Sequence, residues 1–130
     1  MMLSFGIIIF CVLAEIFGRA AMRGHVSFSY NTGAAFGLMS SSSEMLIWLG
    51  VAANIIVACV LIFWKPGKWV RVGLSLMLGG AVSNLAERIL LGHVVDWLPV
   101  PFTALRFNLS DVFIALGAVL TFIMISSSRR

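Results

Sequence analysis

The chain has 130 residues, of which 61% are hydrophobic and 11% charged, where a water-soluble domain carries about 25% charged residues. A water-soluble core of this size cannot hide that much apolar surface, so lipid must be the solvent for most of the chain. The net charge of +4 comes from nine basic residues that form no stripe of the kind a nucleic acid requires, and it is read as membrane topology.

A spanning helix needs ~20 mainly apolar residues. Four segments qualify: about Leu3–Met22, Glu44–Trp64, Val70–Leu90 and Asn108–Ser126. They predict an all-α membrane protein, a four-transmembrane-helix bundle forming a single integral membrane domain over 1–130, with a small strand-containing region in its extracytoplasmic loops. The first segment lacks a basic leading region and a clear small-residue cleavage site, and is expected to stay as a helix rather than be removed as a leader. It carries Glu15 and Arg19 four residues apart, the spacing and order of an intrahelical ion pair. Cys11 and Cys59 lie in apolar runs, belong to no Cys/His cluster, and are expected to be buried small hydrophobes.

The first long connection, His25–Ser43, alternates Val26, Phe28 and Tyr30 with Ser27 and Ser29, a period of two that predicts a strand or hairpin on the membrane surface. Beyond it, Asn31-Thr32-Gly33-Ala34-Ala35-Phe36-Gly37 offers an amide side chain and small residues that allow close backbone approach. The serines Ser40–Ser43 are placed to cap the second helix. The short Lys65-Pro66-Gly67-Lys68 connection leads to the third helix, where Gly79-Gly80 should let neighbouring helices pack closely. One turn later Asn84, Glu87 and Arg88 share a face toward the bundle interior. The last connection, Gly92–Phe107, contains Asp96 in the apolar run Val94-Val95-Asp96-Trp97-Leu98, and Trp97, Pro99, Pro101 and Phe102 suggest an irregular segment at headgroup level. Asn108-Leu109-Ser110-Asp111 opens the fourth helix with an N-cap asparagine and an acid three residues on, as in a capping box.

Lys65, Lys68, Arg71, Arg129 and Arg130 fall on one side of the membrane and Arg19, Arg23, Arg88 and Arg106 on the other. The positive-inside tendency assigns the first group, and both termini, to the cytoplasm. Glu15, Glu87, Arg88, Asp96 and Asp111 then converge on one layer near the extracytoplasmic ends of the helices. Each charge in such a layer is costly, about 2.5–3.5 kcal/mol at the bilayer centre, and calls for a reason. Desolvation should raise the pKa of Asp96, whereas Asp111 has the N–H groups of a helix start beside it. Two carboxylates in such unlike surroundings suit an acid and a base sharing one water. His25 and His93 have no metal-ligand spacing and are read as interface residues.

Taken in order, Asn31-Thr32-Gly33-Ala34-Ala35-Phe36, Gly79-Gly80 with Asn84 and Arg88, Val94-Val95-Asp96-Trp97, and Phe107-Asn108-Leu109-Ser110-Asp111 resemble the lipoprotein signal peptidase (signal peptidase II) family. The resemblance implies an aspartyl endopeptidase of the bacterial cytoplasmic (inner) membrane that cleaves prolipoproteins before a diacylglyceryl-modified cysteine, with its site toward the extracytoplasmic face. It places the catalytic pair on Asp96 and Asp111. It puts substrate-binding or supporting roles on Asn31, Gly33, Asn84, Arg88 and Asn108, with secondary support from Glu15, Arg19 and Glu87. No metal or organic cofactor is implied; the expected partners are prolipoproteins and membrane lipids, and the expected state is a monomer. Glu87-Arg88 stands where the family commonly has Asp-Arg, Glu15 and Arg19 where it usually has Asp and Lys, and the segment from Asp96 to Asp111 is shorter than usual. Two other readings remain open on the residues alone: a catalytically weak or inactive relative that binds lipoproteins or inhibitors, and a small cation-coupled transporter. The transporter would need a polar path through inner helix halves that, over Ile55–Phe63 and Ala115–Met124, offer little besides Thr121.

Overall fold

The computed structural model describes residues 1–33 and 43–127. The helices are α1 (Met2–Met22), α2 (Ser43–Cys59, prolonged by a π-helical turn Val60–Trp64), α3 (Lys68–Leu91) and α4 (Leu109–Ser127). All four are long and apolar enough to cross a membrane. They match the predicted spans to within about two residues at each end, because in hydrocarbon a segment must satisfy its own backbone groups and the helix does so within itself. The serine run expected to cap α2 lies outside the described residues up to the backbone of Ser43, as do Ala34 to Gly37 and the terminal Arg129 and Arg130.

The least hydropathic span, α3, is also the most buried and packs against each of the other three. Its inward residues are mostly small: Gly73, Ser75, Gly79, Gly80 and Ser83, with Leu74 and Leu78 between them. Small side chains let backbones approach where lipid supplies no hydrophobic drive for association. A Cβ on Gly79 would lie 2.7 Å from the Cβ of Cys11 on α1, and one on Gly80 would lie 2.9 Å from the Ile114 side chain on α4 and collide with the Ser110 carbonyl. Nearer the other end, a Cβ on Gly73 would stand 2.8 Å from the carbonyl oxygen of Gly117. Leu61, Leu74 and Leu78 form the core of the apolar half, with Ile8, Val57, Met77 and Val82 packed around them.

At the end of the bundle where α1 and α3 finish and α2 and α4 begin, the loops form two small ribbons. Strand β1 (Ser29–Asn31) pairs antiparallel with β2 (Val94–Asp96), with Ser29 opposite Asp96 and Asn31 opposite Val94. Strands β3 (Leu98–Pro99) and β4 (Arg106–Phe107) make the second ribbon, and the Trp97 N–H donates to the Phe107 carbonyl at 3.0 Å to join the two. Chain reversal after α3 uses Gly92 at φ 77°, a left-handed conformation that suits glycine.

Three expectations are corrected here. The surface strand starts at Ser29 rather than Val26, and pairs with the other loop instead of forming its own hairpin. Trp97 is not a surface aromatic but is 4% exposed, because its indole rests on Gly18 of α1, where a Cβ would come within 3.0 Å of the ring. Cys59 is exposed on the outer face of α2, whereas Cys11 is buried as expected.

The Gly80 contact gives the first test. Gly80→Val should lower thermal stability by about 1–3 kcal/mol through overpacking, read as a fall in Tm in detergent or nanodiscs. A variant as stable as the parent would mean that α3 and α4 do not touch at this point.

Candidate active site

The site is built on the ends of three helices and the β1–β2 ribbon. Asp96, the last residue of β2, is 5% exposed. Its Oδ1 accepts from Nδ2 of Asn108 at 2.9 Å, and its Oδ2 accepts from Nδ2 of Asn31 at 3.1 Å. Asp111, in the first turn of α4, accepts on Oδ1 from Nδ2 of Asn84 at 2.8 Å. Asn108 ties the two acids together: its amide nitrogen donates to Asp96 while its Oδ1 accepts the Asp111 backbone N–H at 2.8 Å. In return Asp111 Oδ2 accepts the Asn108 backbone N–H at 3.4 Å, which completes the capping box legible in the sequence.

Both carboxylates line the same two cavities. The larger, of about 680 Å3, runs between the β1 side, including Asn31 and Gly33, and an apolar wall that includes Val100, Leu105, Phe107 and Ile114. The smaller, of about 260 Å3, is polar and lies among Asn31, Asn84, Arg88 and Asn108. Burial pushes the Asp96 carboxyl above the ordinary aspartate range, and the Asp111 charge adds to this. Hydrogen bonds from Asn31 and Asn108 and the nearby Arg88 charge pull the other way.

The remaining predicted residues surround this pair. Asn31 Oδ1 accepts the Gly33 N–H at 3.0 Å, and Arg88 Nη2 donates to the Gly33 carbonyl at 2.8 Å, so the segment after β1 is held to α3. Glu87 anchors β2: its Oε2 accepts the Val95 N–H at 2.9 Å. Glu15 and Arg19 do not pair with each other as their spacing suggested. Arg19 reaches across to Glu87 on α3. Glu15, 1% exposed, turns inward: Oε1 accepts the Trp97 indole N–H at 2.7 Å, and Oε2 accepts the backbone N–H groups of Leu109 and Ser110 at 2.8 and 3.1 Å. The physical reason is that two free N–H groups at a helix start, plus a buried indole, offer the carboxylate more than one flexible guanidinium on its own helix.

Trp97 and Ser110 are the residues that sequence reasoning did not assign to this network. A tryptophan next to a buried acid was visible, but its partner is 82 positions away, and no local pattern connects them. Among the described residues no three His, Cys, Asp or Glu side chains come together as metal ligands, so the two carboxylates meet amides rather than further metal donors.

The fold, four long helices with small ribbons at one end, is shared with solved bacterial membrane enzymes. One, determined by the in meso method at 2.3 Å resolution, aligns with a TM-score of 0.89 at 20% identity, covering 99% of this chain and 90% of that one. A second, at 1.9 Å resolution, aligns with a TM-score of 0.84 at 21% identity, covering 96% and 93%. The chain belongs to the signal peptidase (SPase) II family, whose pattern it matches over residues 4–127. Similar proteins named lipoprotein signal peptidase occur in Pseudomonas paraeruginosa (40% identical, over 78% of this chain and 66% of that protein). Another occurs in Nostoc punctiforme (37% identical, over 82% and 67%). The chain thus spans about two thirds of the length of these curated relatives.

The Glu15 network predicts a distinct mutational signature. Glu15→Gln replaces one acceptor by an N–H2 group facing N–H donors, and should destabilise the protein by about 1–3 kcal/mol. Trp97→Phe, which keeps the ring but loses one hydrogen bond, should cost about 0.5–1.5 kcal/mol. Unfolding in a defined detergent measures both, and a Glu15→Gln protein no weaker than Trp97→Phe would remove Glu15 from its proposed place.

Proposed function

We propose that the protein is an aspartic endopeptidase of the bacterial inner membrane that removes the signal peptide of diacylglyceryl-modified prolipoproteins, cutting before the lipidated cysteine. The observation that carries this reading is that Asp96 and Asp111 line one cavity and are linked through a single asparagine, Asn108. Family membership supports the class of substrate. The whole of residues 1–130 acts as one membrane-embedded unit, with both termini cytoplasmic and the site on the extracytoplasmic side.

In the proposed reaction Asp111 is the base and Asp96 the acid, a division favoured by the burial that holds the Asp96 proton. Asp111 takes a proton from water as the water oxygen attacks the scissile carbonyl carbon. Asp96 gives its proton to the carbonyl oxygen. As the tetrahedral species collapses and the C–N bond breaks, the proton taken from water passes from Asp111 to the leaving cysteine nitrogen, and the carbonyl proton returns to Asp96. Asn84 orients Asp111, Asn31 and Asn108 orient Asp96, and Arg88 steadies the segment after β1. The apolar wall of the larger cavity suits a substrate whose acyl chains are anchored in the same bilayer, which delivers the peptide bond at the depth of the acids. Tyr30, exposed at the cavity rim, would cover the substrate from the aqueous side.

Membranes containing the protein should convert a diacylglyceryl-prolipoprotein to its mature form. Asp96→Asn and Asp111→Asn should each slow the conversion by at least about 10²–10⁴-fold while the protein remains inserted. Full activity in either variant would refute the pair.

The pH profile supplies a second test, with its sign fixed by Asp96. The acid is active while protonated, so activity should be lost as pH rises through a pKa above the usual ~3.9 of aspartate. Asn31→Ala removes a hydrogen bond to the charged form, and should move that alkaline limb to higher pH. A limb that stays in place or moves down would reverse the assignment of acid and base.

A further inference from the structure

The β1–β2 ribbon has two faces, and only one belongs to the carboxylates. Side chains alternate along a strand: Ser29, Asn31 and Asp96 line the large cavity, while Val95, with Phe28 just before β1, lines a second cavity of about 570 Å3 behind the ribbon, and Tyr30 borders both. Arg19, Arg23 and His93 contribute to the wall of the second cavity and no carboxylate does. Arg19 is engaged by Glu87, but Arg23 is exposed, and among the described residues it has no acidic partner within ion-pair distance. His93 is braced edge-on by Tyr30, their ring centroids 5.0 Å apart.

The rest of the cavity is apolar: Ile16 and Ala20 come from the last turns of α1 and Leu91 from the end of α3. These join exposed apolar side chains on the same helix ends, Phe17 at 67% exposure and Leu90 at 80%. Such side chains are in place only against acyl chains, whereas Arg23 and His93 stand just beyond the ends of the spans Met2–Met22 and Lys68–Leu91, where headgroups lie, and Arg19 is in the last turn of the first. A planar guanidinium binds phosphate oxygens with two parallel hydrogen bonds.

We propose that this second cavity is a binding site for the phosphodiester headgroup of an anionic glycerophospholipid from the surrounding bilayer. The phosphate is received by Arg23 and His93, with Arg19 behind them, and the first acyl carbons run along Ile16, Ala20 and Leu91. The site shares the ribbon with Asp96 but no carboxylate.

The test is native mass spectrometry of the delipidated full chain, titrated separately with dioleoyl phosphatidylglycerol, dioleoyl phosphatidylcholine and inorganic phosphate. Phosphatidylglycerol should be retained about fivefold or more over phosphatidylcholine, the increment of roughly one arginine at a membrane surface. Arg23→Gln combined with His93→Gln should abolish that preference, and Arg23→Lys should keep most of it. Ala20→Trp, which fills the cavity without changing its charge, should reduce retention of phosphatidylglycerol. Equal retention of the two lipids would overturn the proposal, as would a preference unchanged in both the charge-removing and the cavity-filling variants. Inorganic phosphate that binds alone and displaces the lipid at millimolar concentration would assign the site to a free anion instead.

Discussion

The arrangement depends on one carboxylate that the proposed reaction does not use. Glu15 enters the polar layer from α1 and accepts three N–H groups, from the indole of Trp97 and from the backbone of Leu109 and Ser110. Trp97 follows Asp96, and Ser110 precedes Asp111. A single side chain therefore fixes the two chain segments that carry the proposed acid and base, each through an immediate neighbour. In a medium without competing water, leaving these donors unmet would cost several kcal/mol each, so the contact is demanding as well as stabilising. A longer acid suits this position, because glutamate spans the distance to a helix start on another element while its second oxygen still meets the indole.

Glu87 plays the matching part from α3. It holds the Val95 N–H with one oxygen and Arg19 with the other, so β2 is tied to α1 and α3 at once. The two glutamates share one logic, in which an acid buried near the end of a span is matched to N–H groups of a loop that would otherwise lack partners. The asparagines Asn31, Asn84 and Asn108 then orient the aspartates themselves without adding charge. Charge is thus concentrated in the scaffold and the proposed catalytic pair, and neutral amides fill the space between them.

Much of this was legible in the sequence, for physical reasons that differ by residue. The spans were readable because lipid admits few ways to satisfy a backbone. The Asn108–Asp111 box was readable because helix starts use local partners at fixed spacing. Gly79 and Gly80 announced close packing, and each meets a different helix. The failures come where the partner is remote. Spacing alone put Arg19 with Glu15, but distant N–H donors claimed Glu15 and distant Glu87 claimed Arg19. The burial of Trp97 was not readable because nothing near it in sequence shows that Gly18 leaves a place for its ring on α1. Cys59 sits in an apolar run that faces outward, a distinction that composition does not make in a lipid-solvated helix.

The confinement of polarity to one end bears on what the carboxylates can do. Below the site, α3 and α4 touch backbone to backbone at Gly73 and Gly117, and Leu61, Leu74 and Leu78 close the space toward α2. A transporter needs its ionisable groups to exchange with water on both sides, by a polar path or a moving interface. Here the small residues that would permit movement are used to bring α3 and α4 into direct contact, and the described residues below them supply few polar groups. The carboxylates are therefore accessible from their own end of the bundle, beside a cavity with an apolar wall. In the proposed reaction that geometry suits chemistry at one face of the bundle better than passage of an ion through it.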